Sequence, residues 1–170
     1  IIESNKFTAV QGMMRSAYRG RRFVDAITQA QLLVKDNRAT ADDKREAKYI
    51  EAKSFMGMSQ RDRAMGLLKE LAASPKTAEG AEASYMLIQD SFDRGDFDAT
   101  EKMVFALADS GTSHNYWLAK SFIGLGDAYY EKNDIAQAKA TWESILNGYT
   151  AESPSDDVPD NVRTRLEKIQ

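Results

Sequence analysis

A chain of 170 residues that is 42% hydrophobic and 29% charged is long enough for one domain and too apolar to stay disordered; 10 Gly and 3 Pro exclude a fibrous or Pro-rich chain. A formal net charge of −3 gives no whole-molecule attraction to nucleic acid or anionic lipid. With no Cys and one His, disulfides, thiolate metal sites, cysteine nucleophiles and multi-histidine centres drop out together, which leaves few catalytic parts.

In chain order, apolar periodicity of the helical kind predicts four helix pairs: about 4–19 with 22–35, 41–57 with 60–73, 77–93 with 96–109, and 114–131 with 134–148. Start signals support them: Thr40 with Asp43 three residues on, Ser74 before Pro75, and Thr112-Ser113 ahead of the helix that holds Trp117. Asn147-Gly148 reads as a stop. The Pro/Ser/Asp-rich stretch from Thr150 to Asp160 is expected to be a loop, and Pro159 to sit in the first turn of a capping helix at about 157–169. Val162 and Leu166 of that helix could close the end of the stack. No strand is needed, so the fold class is all-α. No stretch approaches the ~18 consecutive apolar residues of a membrane span, and no signal peptide is visible. The chain opens on Ile1-Ile2 with no initiator Met, so it is expected to be part of a longer chain, the end of a longer array.

The pairs repeat one another. Gly95-Asp96-Phe97-Asp98-Ala99-Thr100 and Asn133-Asp134-Ile135-Ala136-Gln137-Ala138 share a turn residue, an Asp, a large apolar residue and a small residue three places on. Arg21 to Ala26 and Ser59 to Ala64 match more loosely. The closing residues Ala26, Ala64, Thr100 and Ala138 are spaced by 38, 36 and 38. Two antiparallel helices need a short side chain where they approach most closely, which explains a small residue at this period. The stripes around it are Val10, Met13, Met14 and Ala17 in the first unit, Ala52, Phe55, Leu68 and Leu71 in the second, Leu87, Ile88, Val104 and Leu107 in the third, and Phe122, Leu125, Gly126, Tyr129, Trp142 and Ile145 in the fourth.

On these residues the chain resembles the tetratricopeptide repeat (TPR) family, in a divergent bacterial form. The stretch from Ala119 to Thr150 is near the family signature through Phe122, Leu125-Gly126, Tyr129, Ala138 and Trp142. The third unit departs from it at Ile88, Ser91 and Thr100. The resemblance covers roughly residues 7–150, as units at about 7–38, 45–76, 81–112 and 119–150 of a single solenoid domain. It implies a right-handed α-α superhelix of about four TPR-like helix pairs, and a non-catalytic interaction and assembly module that binds a segment of another protein in its concave groove. By analogy with bacterial envelope assemblies it also implies a periplasmic or envelope-associated setting, with the cytoplasm as the other option.

In such stacks the first helix of each pair lines the groove. The register then places Arg15, Arg19, Tyr49, Lys53, Tyr85, Gln89, Phe92, Asp127 and Tyr130 on the partner-binding face. Cations come early and carboxylates late, with Tyr49, Tyr85, Phe92 and Tyr130 as anchors. Each ring could instead pack against a neighbouring unit. The carboxylate clamp of chaperone-binding relatives is not reproduced: Gln11, Arg15, Ile50, Glu82 and Met86 stand at its places, so no binding of that kind is expected.

Other motifs read as structure. His114 lies in a polar turn and is expected to be an exposed surface residue. Asp93, Asp96, Asp98 and Glu101 fall on a turn and a helix start without calcium-loop spacing, and Asp42-Asp43 and Asp156-Asp157 read as caps. The Met residues read as core filling, with Met13-Met14 and Met56/Met58 as alternative partner contacts. No catalytic residue, metal site or cofactor is expected. Two readings stand beside the interaction module: an accessory or repeat domain of a larger enzyme, and self-association through the N-terminal edge.

Overall fold

Besides Gly111, four described residues with a left-handed backbone punctuate the chain, one inside each helix pair: Arg21, Ser59, Gly95 and Asn133, with φ of 56°, 59°, 75° and 62°. Their spacing of 38, 36 and 38 is that of the small residues. In each case the next residue donates its N–H five places back, Arg22 to Ala17, Gln60 to Phe55, Asp96 to Ser91 and Asp134 to Tyr129, at 2.8–3.0 Å. This is the Schellman closure of a helix. The donor is also the N-cap of the following helix, so one hydrogen bond stops the first helix and positions the second. Ala26, Ala64, Thr100 and Ala138 then pack at the crossing, each fully sealed from solvent.

The computed structural model describes residues 2–169, with side chains from residue 5 onward. The described residues form helices α1 (Ile2–Arg19), α2 (Phe23–Val34), α3 (Ala41–Gly57), α4 (Arg61–Ala72), α5 (Ala78–Asp93), α6 (Phe97–Asp109), α7 (Asn115–Glu131), α8 (Ile135–Gly148) and α9 (Val158–Glu167), without a strand. The all-α class is as expected, and the helix bounds lie within about two residues of the predicted ones except at the ends of the chain.

The chain divides into two compact units, Ile1–Ala73 and Ser74–Gln170. In the first, Met14, Ala26, Ala30, Leu33, Ala47 and Ile50 form a core between α1, α2 and α3, and α4 packs on α3. In the second, Ile88, Val104, Leu125, Tyr129, Trp142 and Val158 belong to one core that joins α5 to α9. Gly126 is required there. A Cβ on it would come within 2.2 Å of the Trp142 indole, whose Nε1–H donates to the Ile123 carbonyl at 3.3 Å.

Local chemistry explains the helix starts, with some corrections. Thr40 and Asp43 form the expected capping box. Helix α5 starts from Thr77, which accepts from Gly80 N–H at 3.0 Å, rather than from Ser74, which belongs to the preceding turn. The N-cap of α7 is His114, with no side-chain cap bond, and Thr112 instead accepts from the His114 N–H. His114 is half-buried rather than exposed, with Nε2 3.1 Å from the Lys76 carbonyl, so it ties the loop before α7 to the loop before α5. Met13, placed in the apolar stripe of α1, is 49% exposed. The acidic cluster is dispersed: Asp96 caps α6, Asp98 pairs with Lys132 at 2.8 Å, and Glu101 accepts from the Tyr129 hydroxyl at 3.1 Å.

Candidate functional site

The inner face of α7 carries Lys120, Asp127 and Tyr130, and α9 packs against it. Val158 and Val162 of α9 are fully buried, and Leu166 packs beside them. Each buried Val contributes about 1.5–3 kcal/mol, whereas a surface ion pair contributes about 0–1 kcal/mol. The two valines therefore hold α9 in place, and its polar contacts orient it.

Those polar contacts are specific. Arg165 grips Asp127 through two parallel hydrogen bonds, Nε to Oδ1 at 2.6 Å and Nη2 to Oδ2 at 2.8 Å. Its Nη1 also donates to the Asn161 carbonyl at 3.0 Å. The hydrogen bonds to Asp127 hold the Arg165 pKa above its ordinary value. Asp157, read as a cap, makes no cap bond and instead accepts from Lys120 Nζ and the Tyr116 hydroxyl, each at 2.8 Å. The Lys120 hydrogen bond, above all, lowers the Asp157 carboxyl pKa. Burial, followed by the bond to Asp157, pushes the Tyr116 phenol up to about 12.

Beside the Arg165–Asp127 pair lies a cavity of about 290 Å³, lined by Phe92, Asp127, Tyr130, Glu131, Trp142, Thr164, Arg165 and Lys168. Tyr130 is 42% exposed and tilts over Trp142 with ring centroids 6.2 Å apart. Phe92 packs on Phe97 at 5.5 Å and presents its other surface to the cavity. The side chains of Glu131 and Lys168 complete its lining. A larger hollow of about 420 Å³, between α7 and the end of α8, is lined by Leu118, Phe122, Ile145 and Tyr149 and by none of the predicted groove residues.

The nine predicted residues thus separate. Phe92, Asp127 and Tyr130 meet at the cavity. Tyr85 and Gln89 belong to the same unit but do not line it: Tyr85 stacks on Trp117 at 5.4 Å with Lys120 Nζ 6.0 Å from its ring, and Gln89 donates to Asp93 at 3.3 Å. In the first unit Arg15 holds Glu46 in a bidentate pair at 2.7 and 2.8 Å, which raises its pKa. Lys53 Nζ lies 5.8 Å from the Tyr49 ring, and Tyr49 packs on the core. Arg19 is exposed in the last turn of α1.

The site residues that the sequence reading missed are Trp142, Thr164, Arg165 and Lys168. A signal was present: Arg165 stands 38 residues after Asp127, one repeat further on, so α9 takes the place of the first helix of a next pair. Among the described residues no group of three or more His, Cys, Asp or Glu is placed to hold a metal ion, and no helix is long and apolar enough to cross a membrane.

No protein-family model and no curated protein sequence matches the chain. Among solved structures it is similar to nearly identical TPR-like repeats assigned to a kinesin light chain of Podosopora anserina, at a TM-score of 0.54 and 15% identity, covering 97% of each chain. The fold is therefore TPR-like.

Proposed function

We infer that the chain is a non-catalytic protein-interaction module whose second unit binds a partner segment at the cavity beside Tyr130. A TPR-like fold serves protein–protein contact across many unrelated roles, so the fold supplies the class and the cavity supplies the reading. The observation that carries it is the convergence of Phe92, half-exposed Tyr130 and Trp142 on a hollow that holds one large side chain. Aromatic walls give contact area at small entropic cost, and Lys168 and Glu131 at the rim can take the polar groups of the partner's backbone or flanking residues. Arg165 and Asp127 satisfy each other and act as the fixed floor.

Selection of displayed peptides on the wild-type chain, with Tyr130→Ala as the counter-selection, tests this. Enriched peptides should share a large apolar residue, lose binding at least about tenfold on Tyr130→Ala or Phe92→Ala, and change the fluorescence of Trp142. Equal enrichment on wild type and Tyr130→Ala would overturn the placement.

A further inference from the structure

A second surface, unrelated to the cavity by Tyr130, lies on the first helix pair. Helices α1 and α2 leave a hollow of about 340 Å³ lined by Gly12, Met13, Ser16, Arg22, Asp25 and Gln29, among others. The small residues Ala9, Gly12 and Ser16 run along α1, and a Cβ on Gly12 would meet nothing within 4 Å. On α2 the facing strip is Asp25, Thr28, Gln29 and Leu32 at i, i+3, i+4 and i+7, with Val24 beside it. Leu32 is 54% exposed and Val24 63%.

The repeat register shows that this face is normally covered. One repeat on, within the first unit, Glu51 and Ser54 take the places of Met13 and Ser16 and are buried. In the last pair of the second unit Leu125 and Ala128 do so, exposed by 2% and 1%. A Cβ on Gly124, the counterpart of Gly12, would meet the Ile88 side chain of the preceding pair of that unit at 4.0 Å. The outer face of the second helix also changes character. Val24 and Leu32 stand where the next pair has Asp62 and Glu70.

We propose that this face is an isologous interface in which a second copy of the chain packs α1 and α2 against α1 and α2 across a two-fold axis. The surface is complementary to itself. Arg22 and Asp25 lie 3.7 Å apart in a loose pair, with side chains 60% and 62% exposed. A two-fold axis sets each Arg22 against the other copy's Asp25, and the reverse, as a closed dimer requires. The small residues of α1 let the two helices approach closely, and Met13, Val24 and Leu32 supply the apolar contact.

Sedimentation of the whole chain over a concentration series reads the association. Wild type should form a dimer as concentration rises. Arg22→Asp and Asp25→Arg should each lower the association constant by at least about tenfold, because like charges then face one another. An equimolar mixture of these two variants should restore dimers, since each copy supplies the charge the other lacks. Leu32→Glu should abolish association with helicity unchanged. A wild type that stays monomeric at its highest concentration, which would leave the face to a different protein, overturns the proposal. So do dimers indifferent to both charge reversals, or a mixture that stays monomeric.

Discussion

Ser91 Oγ and Thr100 Oγ1 lie 2.8 Å apart in the third helix pair, where the repeat signature has a large tyrosine and a small alanine. Both are buried. Ser91 also reaches the Ile88 carbonyl at 2.7 Å, and Thr100 the Asp96 carbonyl at 3.0 Å. The two departures are therefore one exchange: a smaller residue on α5 makes room for a larger one on α6, and their hydroxyls satisfy each other. Thr100→Ala should cost about 1–2 kcal/mol through a lost bond and a small void. Ser91→Ala and Thr100→Ala together should cost less than the sum of the two, because the bond that links the two hydroxyls is lost in either single variant and can be lost only once. A double-mutant cycle in urea measures this, and strict additivity would contradict it.

The left-handed turn residues predict gains as well as losses. Ser59 at φ 59° and Arg21 at φ 56° hold a conformation that costs a side-chain-bearing residue about 1 kcal/mol or more. Ser59→Gly should therefore raise stability by about 0.5–1 kcal/mol, and Gly95→Ala should lower it by about 1 kcal/mol. Thermal unfolding of the two variants should move in opposite directions.

Gly126→Ala introduces a methyl group into the Trp142 indole. Overpacking of this kind costs about 1–3 kcal/mol and displaces the ring. Trp142 also lines the cavity beside Tyr130, so the variant should shift tryptophan emission and weaken any ligand of that cavity. Unchanged emission and stability would mean that the helix crossing is looser than the structure shows.

Acid should loosen α9. The Asp157 carboxyl is held below its ordinary value, so the folded chain binds fewer protons there than the unfolded chain does. Its contribution is complete above about pH 4, the unfolded carboxylate range, and is lost as pH falls through the lowered folded value. The stability difference between wild type and Asp157→Asn should be constant from neutral pH to about pH 5 and shrink below about pH 4. Urea midpoints at a series of pH values check the sign, and a difference that grows on acidification would refute it.

The helix pairs were legible because their signals are local. A turn residue, an N-cap and a small residue at a period near 37 need no knowledge of what packs where. Phe92, Asp127 and Tyr130 were legible for the same reason, since one register assigns all inward positions. What escaped depends on the neighbour each face meets. Met13 shares the apolar spacing of Met14 but lies at the open hollow between α1 and α2, so periodicity alone could not separate a sealed methionine from a half-exposed one. Asp157 resembles an N-cap, yet Lys120 and Tyr116 of α7 claim its oxygens. The Asp127 partner lies on α9, and only extending the period one step past the fourth unit points to Arg165.

The cavity beside Tyr130 is walled by two carboxylates, Asp127 and Glu131, and two cations, Arg165 and Lys168. Their charges cancel, and the Arg165–Asp127 pair projects only the short-range field of a dipole. A ligand arriving there is drawn by no net potential, so its association rate should fall in the unsteered range of about 10⁵–10⁶ M⁻¹s⁻¹ and hardly change with ionic strength. Discrimination among ligands then rests on how long each stays, which is set by how well its side chain fills the space between Phe92 and Tyr130.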